Sequence, residues 1–190
     1  MHIIAGAGLL QIRGLETARL QEAYPGEAAS AEEVFRLAES YREAAAALKT
    51  VGRPREPLSR APFRLAVIHA IELYLNAFLL KEGLGGRYMR TLRHDLGARA
   101  VEASARGLRL RVRTAAHLVA MAEDREYLVI RYETTQTTAM SQINRLQATL
   151  EELRTKVSQR LHGGSMVAER PKQSNATQSS VSRSSATDAR

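Results

Sequence analysis

The chain contains no cysteine and no tryptophan, and only three phenylalanines among its 190 residues. Without cysteine there are no disulfides, no thiolate zinc site and no thiol nucleophile. With so few aromatic rings, the core has to be built from Leu, Ala, Ile and Val. No targeting segment is expected either. The opening stretch from Ile3 to Leu10 is short, is interrupted by Gly6 and Gly8, and has no basic residue before it. It fits neither a signal peptide nor a membrane span of about 20 apolar residues. The longest apolar run, Leu65 to Leu80, carries His69, Glu72 and Asn76 and reads as a core helix. A cytoplasmic protein with no membrane attachment is expected.

Several chemical signatures are absent too. There is no phosphate-binding loop and no dinucleotide fingerprint, and Gly83-Leu84-Gly85-Gly86 follows a helix and so reads as its termination. The strand–turn–helix elbow of a serine hydrolase has no place in the chain. The five histidines (His2, His69, His94, His117 and His162) are scattered, with no pair at metal-ligand spacing. Neither a metal nor a cofactor is expected, and His117, on an apolar segment, reads as structural.

What is present is a globular composition with a basic balance. Hydrophobic residues make up 44% of the chain, so a core can be buried. Lys and Arg number 28 against 20 Asp and Glu, a net charge of +8 that favours a polyanionic partner. Length points to one domain with additions. Residues 163–190 are rich in Ser, Thr and Gln with little to bury, which predicts a disordered tail. Residues 1–29 read as an N-terminal extension, partly helical or flexible, leaving 30–162 as the folded unit.

That unit reads as an all-α, up-and-down bundle of four to five helices. Ser30-Ala31-Glu32-Glu33 is a capping-box pattern that opens a first helix toward Leu48, with Val34, Leu37, Tyr41 and Ala45 on one side. Pro62 suits the first turn of a second helix, which Gly83 stops. A third runs from about His94 to Arg106 and a fourth from about Arg113 to Tyr132. The run Leu108 to Val112 alternates like a strand but has no partner, so it reads as a linker. A last helix, from about Thr138 to His162, spaces Ile143, Leu146, Leu150, Leu153, Val157 and Leu161 for packing in a bundle or across a dimer.

Two places carry the candidate chemistry. On the second helix, His69, Glu72 and Asn76 fall on one narrow stripe of an otherwise apolar surface. A carboxylate there needs a partner, and His94, Arg93 and Arg131 are candidates in kind. The stripe is either a polar seam that sets helix register or the wall of a polar pocket. After the glycine break come Arg87, Arg90, Arg93, His94 and Asp95. Arginine suits phosphate through its bidentate fork, and histidine can move a proton near neutral pH. The plainer reading has Asp95 facing a helix start and His94 bonded to the neighbouring turn.

The helix from His69 through Glu72 and Asn76 to Lys81, followed by His94-Asp95-Leu96, resembles the HEPN-like proteins of prokaryotes. Arg131-Tyr132-Glu133 lies where that family often places an Arg-Tyr pair, and a Leu-spaced terminal helix follows there too. The resemblance covers about residues 30 to 162. Asn76 stands where relatives usually carry Lys, Arg93 where they carry Gly, and Tyr88 where the nucleases have a polar residue. The resemblance implies a helical bundle, a tendency to form homodimers, and a link to RNA, nucleotides or toxin–antitoxin style defence. The family's metal-independent ribonucleases pair an arginine with a downstream histidine, a spacing that Arg87 and His94 approach. On that reading Arg87 and Arg90 hold phosphate, His94 is the acid or base, and Glu72 with Asp95 orients it, while Asn76, Arg93, Arg131 and Tyr132 complete the binding set. The alternative is a non-catalytic helical module for a protein partner such as an antitoxin.

Overall fold

The computed structural model describes residues 26–135 and 140–163. The predicted tail from residue 164 onward and most of the N-terminal extension lie outside them. Among the described residues the chain is an all-α bundle of seven helices with no strand. These are α1 (Ala31–Lys49), α2 (Ala61–Lys81), α3 (Gly86–Thr91), α4 (Leu96–Ala105), α5 (Val112–Glu123), α6 (Glu126–Tyr132) and α7 (Ile143–His162), with a single 3-10 turn at Pro57–Arg60 leading into α2.

Local sequence accounts for the helix boundaries. Ser30 caps α1: its hydroxyl accepts from the Glu33 N–H at 3.2 Å while the Glu33 carboxylate accepts from the Ser30 N–H at 2.8 Å. Gly83, at φ +88°, ends α2 in a Schellman turn, with Leu84 N–H donating to Leu79 and Gly83 N–H to Leu80. Asp95 caps α4 by accepting from the Ala98 N–H at 2.8 Å.

The helix α2 is the axis of the molecule. Its apolar residues point in every direction because α1, α4, α6 and α7 all pack against it. By length and composition the stretch Pro57–Lys81 could cross a membrane, yet 72% of its apolar window is buried against the other helices. Val67, Ile71, Tyr74, Leu75 and Leu79 have no exposed surface at all. The Tyr74 hydroxyl is satisfied inside the bundle, donating to Glu39 Oε1 at 2.6 Å, and Glu39 also takes Arg154 from α7 at 3.0 Å.

Three departures from the sequence reading have physical causes. The buried stripe of α1 is Phe35, Ala38 and Ala45, so Leu37 and Tyr41 are left half-exposed on a neighbouring face. The expected fourth helix is broken at Asp124 and Arg125, where Arg125 adopts a left-handed φ of +51° and turns Glu126 into the interior. A short helix, α3, lies between the glycine break and the helix expected from about His94, where none was expected.

The α7 stripe packs as its spacing predicts: Leu146, Leu153 and Val157 are fully buried and Leu150 nearly so, all within the chain. Truncating Leu153 to Ala therefore removes about 2–5 kcal/mol of unfolding free energy in a denaturant titration. The same truncation at Val112, 86% exposed, changes it by no more than about 0.5 kcal/mol. Equal effects at the two positions would contradict this packing.

Candidate functional site

The polar stripe of α2 is the wall of a cleft. His69, Glu72 and Asn76 line a cavity of about 670 Å³ together with Leu37 of α1, Met89 and Arg90 of α3, and Arg93, His94 and Arg99. The segment at Glu27 closes one side. It lies so near that a Cβ on Gly86 would sit 2.9 Å from the Glu27 carbonyl oxygen, which explains glycine at the start of α3. Glu27 in turn pairs with Arg90 at 3.2 Å.

The centre of the site is a buried ion pair that the sequence reading did not foresee. Glu72 and Arg99 are 5% and 2% exposed, and Arg99 Nη2 lies 3.0 Å from Glu72 Oε1. The rest of the guanidinium is also engaged. Its Nε donates to Asn76 Oδ1 at 2.8 Å, and Nη1 to the carbonyls of Leu92 at 3.1 Å and Asp95 at 3.3 Å. A buried pair is tolerable only with this degree of satisfaction. The signal was present in α4, where Arg99 shares a helical face with Leu96, Ala100 and Ala103.

The turn held by Arg99 presents His94. Its Nδ1 lies 3.1 Å from Glu72 Oε2, a contact that fixes the imidazole when Nδ1–H donates to the carboxylate. The side chain is 52% exposed, and Nε2 has no hydrogen-bond partner among the described residues. On the other side the ring stacks on Tyr127, centroids 4.1 Å apart and planes 25° apart. Arg131 donates to the Tyr127 hydroxyl at 2.8 Å and lies 5.0 Å over its ring. Of the candidate partners for Glu72, His94 reaches it, whereas Arg131 contacts Tyr127, beyond the imidazole.

The remaining predicted residues separate. Arg93, at a left-handed φ of +47°, is exposed and its side chain has no partner among the described residues. The Asp95 carboxylate is taken up in capping α4. Arg87 projects outward, 86% exposed and 3.9 Å from Glu27, and does not pair with His94. Tyr132 is 69% exposed, with Arg131 5.2 Å over its ring. No group of three His, Asp or Glu suited to a metal ion occurs among the described residues.

A second histidine makes a useful contrast. His117 is held on both nitrogens, Nε2 to Ser141 Oγ at 2.7 Å and Nδ1 to Thr149 Oγ1 at 2.8 Å. Ser141 also donates through its N–H, at 2.8 Å, and through its hydroxyl to Glu126. The carboxylate therefore binds the serine and not the imidazole, unlike a hydrolase triad, and His117 locks α5 to α7.

Burial, with Arg145 nearby, holds His117 down to about 4. The unfolded chain, with an ordinary value of 6.5, takes up a proton between those limits that the folded chain refuses. This histidine's share of stability is complete above about pH 6.5 and lost as pH falls toward 4. His117→Gln therefore shrinks the drop in melting temperature between pH 6.5 and pH 5, above the range where the lowered carboxylates act. An unchanged drop would mean that His117 is not the group refusing the proton. Comparisons with protein-family models, with curated proteins and with solved structures find no match for this chain.

Proposed function

We propose that the chain is a HEPN-like helical domain that binds RNA or nucleotides in the cleft between α1, α2 and the 86–95 segment. The observation that carries this reading is the adjacency of Arg93, a guanidinium without a partner among the described residues, to the half-exposed His94 on a buried Glu72–Arg99 anchor. A planar cation and an imidazole side by side suit a phosphodiester: the fork takes two oxygens and the imidazole donates to a third. Arg90 and Arg87 stand at the rim, where the basic balance of the chain draws in a polyanion. The exposed Tyr132 and the Tyr127–His94 pair add ring surface for stacking of unpaired bases. A homodimer with a cytoplasmic, toxin–antitoxin role is the setting that the family resemblance adds.

A second reading, metal-independent cleavage of the bound RNA, is favoured by one feature. With Nδ1 turned to Glu72, the lone pair of His94 Nε2 is free to take the proton of a ribose 2′-hydroxyl. The 2′-oxygen then attacks the adjacent phosphorus, and the 5′-oxygen leaves with a proton from solvent.

Titrating single-stranded RNA against salt tests the binding. In Arg93→Ala the slope of log affinity against log salt shrinks by about 0.7, because one fewer counterion is released. An unchanged affinity and slope would remove Arg93 from the nucleic-acid surface. Incubation with RNA in chelator separates the two readings. Cleavage by the wild type that disappears in His94→Ala, with binding retained, establishes a nuclease. Binding without cleavage in both proteins leaves a binding module, and no binding at all overturns the proposal.

A further inference from the structure

The polar stripe of α2 leaves one group of fixed orientation unused. Glu72 has both carboxylate oxygens engaged, Oε1 by Arg99 and Oε2 by His94. His69 lies at the far end of the stripe, its ring edge-on to Tyr41 with centroids 4.4 Å apart. Asn76 differs from both. It lines the cleft and is half-buried, while every other residue from Ile71 to Leu79 is buried. Its amide orientation follows from the chemistry of its neighbour. Arginine can only donate, so the atom that meets Arg99 Nε at 2.8 Å is Oδ1, and the Nδ2–H₂ group is turned away from it. That group has no partner among the described residues and is not sealed from solvent.

The surroundings of that amide are apolar. On α2, Leu73 and Leu80 flank Asn76 at i−3 and i+4, on the same face. Two ring contacts set how α1 passes α2: Phe35 meets Tyr74 and Tyr41 meets His69. The two helices therefore run antiparallel, and Val34 and Leu37 lie along the Asn76 end of the stripe. Met89 of α3 completes the wall, and Arg90 beside it is paired with Glu27. The cleft thus has two halves. Arg93 and His94, beside Glu72, form the cationic one. The other is an apolar slot with a pair of N–H donors in its wall, four residues or about 6 Å further along α2.

We propose that this slot is a base subsite that selects the keto bases, guanine and uracil, through the Asn76 amide N–H₂. The inference rests on the RNA- or nucleotide-binding reading above and deepens it. With the phosphate at Arg93 and His94, the base extends along α2 into the slot. An asparagine that uses both amide atoms recognises adenine, through N6 and N7 together. Here Oδ1 is turned to Arg99, so only donors face the ligand. Guanine presents two acceptors on one edge, O6 and N7, and uracil presents O4. Adenine and cytosine carry an amine at the corresponding place and would set donor against donor. Sites built to pair a polar group reject the analogue that lacks its partner.

Nuclear magnetic resonance titration of the full chain with GMP, AMP, UMP, CMP and ribose 5-phosphate tests this. It is followed at the His94 imidazole and at the side-chain amide of Asn76. GMP is expected to bind about fivefold or more tighter than AMP, and UMP than CMP by a similar factor. GMP and UMP should move the Asn76 amide resonances, whereas ribose 5-phosphate should move His94 alone. In Asn76→Asp one carboxylate oxygen stays on Arg99 and the other becomes an acceptor, so both preferences should turn toward AMP and CMP. Affinity ratios within one protein cancel the effect of the added charge. If this variant does not fold, the Asn76 resonances of the wild type carry the test. Equal affinities within each pair, or Asn76 resonances that stay still while His94 shifts, overturn the base subsite and leave the RNA reading standing. A preference that Asn76→Asp leaves unchanged overturns it too. No shift with any nucleotide or with single-stranded RNA overturns both.

Discussion

The ion pair of Glu72 and Arg99 is the constraint on which the rest of the site depends. Neither charge could stand in the interior alone, and each is held because the other is present. Arg99 reaches from α4 to α2 and also binds the carbonyls of Leu92 and Asp95. One guanidinium therefore joins the central helix, the turn that carries His94 and the cap of the next helix. Loss of either partner would leave an uncompensated charge beside the most apolar helix of the chain, and the turn would lose its anchor.

From that anchor a graded series runs outward: buried Arg99 and Glu72, half-exposed His94, then Tyr127 and the surface Arg131. Each member contacts the next, so an imidazole that meets solvent is held on two sides, by Glu72 and by Tyr127. This combination of exposure and fixed orientation is what proton transfer requires, and His117 shows the opposite case. There both ring nitrogens are used, burial keeps the ring neutral, and nothing is left for a ligand.

Much of the fold was legible in the sequence because its signals are local. The Ser30–Glu33 capping box, the Gly83 stop and the α7 stripe each act through a few neighbouring residues. Glu72 was legible as a problem, a charge on an apolar helix, but its solution was not. Candidate partners were sought among residues beside His94, while Arg99 looked like one more arginine in a basic chain until α4 placed it on an apolar face. The break at Asp124–Arg125 had no glycine or proline to announce it. It arises from tertiary demands, since the turn brings Glu126 into contact with Ser141. Tyr127 was missed for the same reason, as its stacking on His94 exists only once that turn is made.

Among the described residues three arginines, Arg55, Arg93 and Arg125, occupy backbone conformations that suit glycine. Arg55 does not line the cleft, whereas Arg93 does and Arg125 opens the helix that carries Tyr127. In an effort to make the protein more heat-resistant, Arg55→Gly would relieve about 1 kcal/mol of backbone strain with no loss to the site. The same exchange at Arg93 would relax the chain by a similar amount and strip a cation from the cleft. The two kinds of position would part ways in any screen that scores endurance and ligand capture separately.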